Sequence, residues 1–374
     1  MPPKFFVIKK RNLLPVFCLH YLASGLLTLK NLFRIRHQPK SPPSPSNILF
    51  VGPDHLGDIL IAAPLFRIVR NRFPNANITI SAKLAQESFC KDLLKIDVFH
   101  SRPCSTTSPF FKQFRAWKNY LRINVFDCVI FYRSMRQFLP ATIASYLLNI
   151  SYRIGSSEKG HGPFHTHSFH LNELMTQSDY SLKLAETFIG NTAPPPLRAI
   201  KLDSTSFAPI RKKPFDVLLA PFAQHPRIWS EQSWREVLDF LNSQSYSVGI
   251  LGLPNDLENY DSLVKGMNSQ SDFTSLIGTL DLPEVFQTIK DTKLLIALDS
   301  GTRHIAAMTG TRCIVIGHGA DFIEVFGQYV DTEHYLRAET PCAPCGELNC
   351  PLKHMDCVQK TTPQRVISLI MQYI

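Results

Sequence analysis

From Asn47 onward, short apolar runs of strand character alternate with helical segments, and the scheme runs twice. The first half reads "NILFV", "NITISA", "VFH", "DCVIFY" and "YRIG", with helices between them such as "FKQFRAWKNYLR" and a segment near 137–149. The second half runs from "FDVLLA" through "SVGILG", "TSLIG", "KLLIAL" and "CIVIG", with helices such as "SWREVLDFLNSQ" and "LPEVFQTIKDT". Strands separated by helix-length connections cannot pair as hairpins. They must lie parallel, with helices on both faces, so the pattern predicts an α/β protein of two doubly wound sheets. The 374 residues are enough for two such domains, each with its own core.

The proline-rich, aperiodic stretch Gly190–Pro214 contains the expected interdomain connection. Domains are therefore expected at 47–205 and 206–374, after an N-terminal segment and linker at 1–46. That segment carries eight cations (Lys4, Lys9, Lys10, Arg11, Lys30, Arg34, Arg36 and Lys40) and no acid, so most of the net +10 sits there and the body is nearly neutral. A nucleic-acid partner is not expected. The cations bracket the uncharged run Leu13–Leu29, which Pro15, His20 and Gly25 interrupt. An interfacial anchor, a span or signal segment, and a helix packed on the body all compete as readings. Cations on both flanks favour the anchor, because they suit an anionic cytoplasmic leaflet and oppose translocation. "KSPPSPS" (Lys40–Ser46) then reads as a linker.

Four local signals carry chemistry. The first is the turn "GPDHLGD" after "NILFV", which holds Asp54, His55 and Asp58 where ligands of open α/β sheets collect. It has neither the G-x-G-x-x-G pattern nor a Walker lysine. Asp58 starts a helix, so capping competes with a chemical role. The second is "HPRIWSEQSW", where Arg227 precedes a helix at a strand's carboxyl end and suits a phosphate as well as plain solvent. The third is "LDSGTRHIAAMTG". A strand stops at Asp299 and turns through Gly301 into a helix whose free N–H groups, with the Ser300 and Thr302 hydroxyls, form an anion site or a simple cap. In the fourth, "LGLPNDLENY", Asp256 follows a strand and suits a ribose diol or a turn.

The nine cysteines fall into two groups. Cys18, Cys90, Cys104, Cys128 and Cys313 are isolated and read as small hydrophobes. Cys342, Cys345, Cys350 and Cys357 form C-x2-C-x4-C-x6-C, the one place with metal-ligand spacing, although a cysteine-rich surface loop explains it equally. "HGPFHTHSFH" (His161, His165, His167, His170) reads as a polar loop on the acceptor side, its spacing being too irregular for a metal site.

The stretch Ile48–Ile80 with "PRIWSEQSWREVL", "LGLPND", "LDSGTRHIAAMTG" and "CAPCGELNCPLKHMDCV" resembles the family 9 glycosyltransferases, the heptosyltransferases of lipopolysaccharide core assembly, over roughly residues 47–374. The resemblance implies two Rossmann-like domains facing across a cleft (the GT-B arrangement), with acceptor on the first and nucleotide sugar on the second. It implies that Asp58 is the general base of an inverting transfer needing no metal or other cofactor. It places Gly57, Arg227, Asp256, Leu280, Asp299, Ser300, Gly301, Thr302 and His304 around the substrates. ADP-heptose is the implied donor and a lipid-linked saccharide the implied acceptor, with the enzyme peripheral on the cytoplasmic face of the inner membrane. Three departures bear on donor identity: Ser300 replaces a threonine, Phe222 and Ala223 replace hydroxyls, and Arg303 adds a cation expected beside the phosphate site. A different nucleotide sugar, a sugar-nucleotide epimerase and a non-catalytic nucleotide-sugar-binding protein remain as alternatives. Asp58 counts against the last of these.

Overall fold

The computed structural model describes residues 45–82, 87–171, 175–190, 214–223, 228–265, 267, 273–320, 325, 330–347 and 349–374. Most of the basic N-terminal segment, Arg227 and nearly all of the expected connection (191–213) lie outside the described residues. The chain divides into two compact units between residues 194 and 195.

In the first unit, β1 (Asn47–Val51), α1 (Leu56–Arg72), β2 (Asn77–Ile80), α2 (Glu87–Leu94), β3 (Val98–Phe99), α3 (Phe110–Ile123), β4 (Cys128–Phe131), α4 (Leu139–Leu147), β5 (Tyr152–Ser156), β6 (His167–Phe169) and α5 (Gln177–Ile189) follow in order. The strands pair only in parallel, in the order β3-β2-β1-β4-β5-β6. β1 lies between β2 and β4, so both its edges are paired, and helices of the parallel winding cover both its faces, which is why Ile48, Leu49, Phe50 and Val51 are all apolar and buried. On one face Leu49, Val51, Val129 and Phe131 pack under Trp117, Tyr120 and Leu121 of α3 and Phe138, Ala141 and Ala144 beside and within α4.

The second unit repeats the winding: β7 (Val217–Ala220), α6 (Glu231–Ser243), β8 (Val248–Gly252), α7 (Leu257–Val264), β9 (Phe273–Ile277), α8 (Leu282–Asp291), β10 (Leu294–Leu298), α9 (Gly301–Thr309), β11 (Arg312–Ile316), β12 (Glu333–Leu336), α10 (Asp356–Gln359) and α11 (Pro363–Tyr373). Its parallel order, β12-β11-β10-β7-β8-β9, is that of the first unit read from the other edge. Trp229, Trp234, Val237 and Leu241 cover the sheet from one side, together with Val366 and Ile370 of the last helix. The sequence pattern missed β6 and β12, edge strands of three and four residues whose polar content hides them.

Each sheet reverses direction where its first and fourth strands lie side by side: β1 with β4, and β7 with β10. At such a point the two outgoing connections diverge and leave a crevice at the carboxyl ends of the strands. The turn 52–58 follows β1 and the Asp299–Gly301 turn follows β10, so these two signals stand at the reversals; the "HPRIWSEQSW" segment follows β7, with His225 to Arg227 outside the described residues.

Candidate active site

The first-unit site is built on close approach. Gly52 ends β1 directly against the Tyr132 ring, and any Cβ there would run into the ring carbons. Tyr132 is buried and donates its hydroxyl proton to the Pro53 carbonyl. Burial first, then the Asp58 and Asp54 carboxylates, push its pKa well above the usual phenol value, so it stays a neutral donor. Arg102, on the loop after β3, donates to the Gly52 carbonyl at 3.0 Å and pairs with Asp54 at 3.2 Å. These contacts hold the turn from beneath and from one side.

Asp58 does not cap the helix. The N-cap is His55, which makes no side-chain capping bond, and Asp58 lies in the first turn of α1. Its Oδ1 pairs with Nη1 of Arg133, two residues past the end of β4. Its Oδ2 has no hydrogen-bond partner among the described residues, and the side chain is 19% exposed. An oriented carboxylate with one oxygen left open suits a proton acceptor. Arg133 and Arg136 also crowd Lys159: its pKa is lowered by desolvation first and by these two guanidinium groups next. Sequence reasoning missed Arg133 and Tyr132. The signal was present, because a cation just after the fourth strand comes to rest beside the first strand in this winding order.

The histidine segment differs from expectation. His161 is fully buried, with Nδ1 at 2.8 Å from Thr142 Oγ1 and Nε2 at 3.0 Å from the Met135 carbonyl. His165 is also buried, stacks on His161 at 5.9 Å, and has no hydrogen bond at either ring nitrogen. Of the four, His170 is well exposed, beside Glu158. Two of the four histidines are therefore core residues rather than members of a polar loop, while His167 is half-buried and His170 exposed. Glycine and proline turns fold the segment back so that two imidazoles fill the core beside Phe131.

Burial lowers the His161 pKa to about 4 against hydrogen bonding to Met135, and burial followed by His161 and Arg153 holds His165 well below 6.5. The unfolded chain takes up these protons near pH 6.5, whereas the folded unit resists until about pH 4. The associated stability is fully present above about pH 6.5 and is lost as pH falls towards 4, at about 1.4 kcal/mol per pH unit per histidine. Acid titration of unfolding should show this slope for the first unit, and His161→Gln with His165→Phe should flatten it. An unchanged slope in the double variant would assign the acid sensitivity elsewhere.

In the second unit, Ser300 is the N-cap of α9 but makes no side-chain capping bond; its hydroxyl lies 3.0 Å from Thr302 Oγ1. The Arg303 N–H donates to the Ser300 carbonyl at 3.3 Å, so among the described residues the Gly301 and Thr302 amides at the helix start are left without a capping side chain beside the paired hydroxyls, and a Cβ added at Gly301 would meet nothing within 4 Å. Asp299 faces inward instead. Its Oδ1 accepts from Arg303 Nη1 at 2.8 Å and its Oδ2 from the Tyr335 hydroxyl at 3.0 Å. Burial alone would raise its pKa, but Arg303, His318 and His304 outweigh this and hold it below the carboxylate range.

Arg303 does not join the phosphate site as the sequence suggested. It is 1% exposed, lies under the Tyr335 ring face, and grips Glu333 of β12 through Nε at 3.1 Å and Nη2 at 2.7 Å. The edge strand that the pattern missed supplies this second carboxylate, which is why sequence alone left Arg303 facing outward. Burial, then Arg303, lowers the His304 pKa to about 3, so that ring acts near the helix start as a neutral hydrogen-bonding group.

Asp256 follows β8 and is half-buried, and its Oδ2 accepts the Leu253 N–H at 2.8 Å to close the turn. Leu280 follows β9 and is half-buried, as is Gly57 in the first turn of α1. Arg227 lies outside the described residues. Cys342, Cys345, Cys350 and Cys357 are free thiols lining one small cavity with Gly319 and His354. Among the described residues no three His, Cys, Asp or Glu side chains converge as a metal site.

The model of glycosyltransferase family 9 (heptosyltransferase) matches residues 115–356, well over half of the chain. The chain belongs to glycosyltransferase family 9. This family 9 glycosyltransferase shares its fold with Escherichia coli heptosyltransferase WaaC with ADP-2-deoxy-2-fluoro heptose (TM-score 0.64, 15% identity, 88% of this chain and 100% of that one). It is similarly related to E. coli ADP-heptose lps heptosyltransferase II (TM-score 0.61, 17% identity, 87% and 99%). Among curated proteins it is 28% identical over 81 residues to lipooligosaccharide heptosyltransferase 2 of Campylobacter jejuni subsp. jejuni serotype O:2, a stretch covering 22% of this chain and 25% of that enzyme's length.

Proposed function

We propose that this glycosyltransferase transfers heptose from ADP-heptose, with inversion, to a lipid-linked saccharide of the lipopolysaccharide core, and that Asp58 is its general base. The observation carrying this reading is the Asp58 carboxylate, oriented through Oδ1 by Arg133 while Oδ2 stays open at the strand reversal of the first unit. Oδ2 takes the proton of an acceptor hydroxyl as that oxygen attacks the anomeric carbon. The bond from that carbon to the diphosphate oxygen breaks on the opposite face, and the nucleoside diphosphate leaves with the electron pair. Its growing charge is met by Arg227 and by the N–H groups and hydroxyls at the start of α9, a scheme that needs no metal. Arg133 on Asp58 and Arg102 on Asp54, with Lys159 and Arg136 next to Arg133, suit an acceptor bearing phosphate or carboxylate groups.

The enzyme is placed on the cytoplasmic side of the inner membrane, held in part by the basic segment 1–46. No helix among the described residues is long and apolar enough to cross a membrane. Nucleotide release from a panel of ADP-, UDP- and GDP-sugars, with a soluble core-oligosaccharide acceptor, tests the donor assignment. Turnover is expected with ADP-heptose, and a preference for a UDP- or GDP-sugar would overturn it.

A further inference from the structure

Helix α3 turns one face to the core and leaves the opposite face without a partner among the described residues. Gln113, Trp117, Tyr120 and Leu121 are buried at the i, i+4, i+7, i+8 spacing of an inward stripe. On the other side Lys112, Arg115, Lys118 and Arg122 are all exposed, within roughly a third of the helix circumference. Among the described residues none of the four has an ion pair or hydrogen bond, and residues 98–126 contain no Asp or Glu to neutralise them. At the helix start the same face carries Phe111, 82% exposed, with the Phe110 ring edge-on to it at 5.6 Å. Leaving a phenyl ring in water forgoes about 2 kcal/mol of burial.

The aromatic pair is also well placed and firmly held. α3 begins after β3, at the carboxyl edge of the sheet where the Asp58 turn lies. The loop between them is tied at both ends: Arg102 reaches the Gly52 carbonyl, and Gln113 Nε2 donates to the carbonyls of Thr106 and Ser108 at 2.9 and 2.6 Å.

The geometry points to the outer face of α3 as a membrane-docking surface, in which Phe110 and Phe111 enter the headgroup region of an anionic bilayer while the four cations meet lipid phosphates. Charge complementarity selects the partner: a stripe with four cations and no acid, led by the exposed Phe111 ring with Phe110 beside it, is the pattern of a helix lying in the interface plane. The inference goes beyond the reaction proposed above and does not depend on which sugar is moved. It would present the acceptor end of the first unit to the surface where a lipid-linked substrate resides.

The test is sedimentation of the full-length protein with phosphatidylglycerol/phosphatidylcholine vesicles and with pure phosphatidylcholine vesicles. Two variants are compared with wild type: Lys112→Gln/Arg115→Gln/Lys118→Gln/Arg122→Gln, and Phe110→Ser/Phe111→Ser. Each should lower partitioning onto the anionic vesicles at least tenfold while leaving turnover of a soluble acceptor fragment unchanged, which separates this inference from the assigned reaction. Wild-type partitioning in either variant would overturn the proposal and leave residues 1–46 as the sole anchor. In a third protein, Phe111→Trp, indole emission should shift to the blue and be quenched by brominated acyl chains. Unquenched emission in the vesicle-bound protein would equally overturn it.

Discussion

Asp58→Asn is expected to lower kcat by about 10²-fold or more while the fold and the donor dissociation constant stay at their wild-type values. Asparagine keeps the shape and an oxygen for Arg133 but cannot accept the acceptor proton, so the loss should fall on the chemical step. Because the side chain is partly exposed and its ion pair lies near the surface, little stability is at stake. Single-turnover kinetics with calorimetric donor binding checks both halves. Wild-type turnover in the asparagine protein would remove Asp58 from the chemistry. Weakened donor binding with unchanged turnover would make it a binding residue.

Arg303→Met should be the most damaging single change in the second unit. The buried guanidinium satisfies the buried Glu333 through two nitrogens and the part-buried Asp299 through a third. Removing it leaves these carboxylates without their counter-charge, a loss on the order of 3–5 kcal/mol. Burial already pushes the Glu333 pKa up to about 7 even with Arg303 beside it, so without the cation this group must protonate or disrupt the edge of the sheet. Thermal unfolding of the second unit should drop by roughly 10 °C. The double variant Arg303→Met/Glu333→Gln should recover much of the loss, since it removes one of the stranded charges. A double variant no more stable than the single one would show that the two residues are not coupled.

Much of this molecule is legible in its amino acids. "NILFV" and "KLLIAL" announce buried parallel strands because a strand covered on both faces has no polar side to display. The glycine and acid that follow each run mark the turn at its carboxyl end. The α/β architecture with two doubly wound sheets follows from such segments alone, and Cys128 and Cys313 are buried as their apolar surroundings suggest. Residues joined across the sheet were harder to see. Arg133 lies 75 positions from Asp58, and only its place just after the fourth strand, read together with the winding order, marks it as a partner. Arg303 looked outward because Glu333 lies on a four-residue strand too polar to stand out. His161 and His165 looked polar by type, and only the folded chain shows a hydroxyl and a carbonyl placed to satisfy the first of them.

The two units have separate hydrophobic cores, and this shapes what a damaging mutation does to a cell. Unfolding need not be one transition, and a lesion such as Arg303→Met can melt the second unit while the first stays folded. On the reading proposed above, the product is not merely an inactive enzyme. It is a decoy that still recognises the growing glycolipid and stays on it without extending it, in competition with intact copies. Partial-loss alleles in the second unit should then be dominant when overexpressed, whereas lesions in the first-unit core, which destroy the acceptor surface as well, should be recessive.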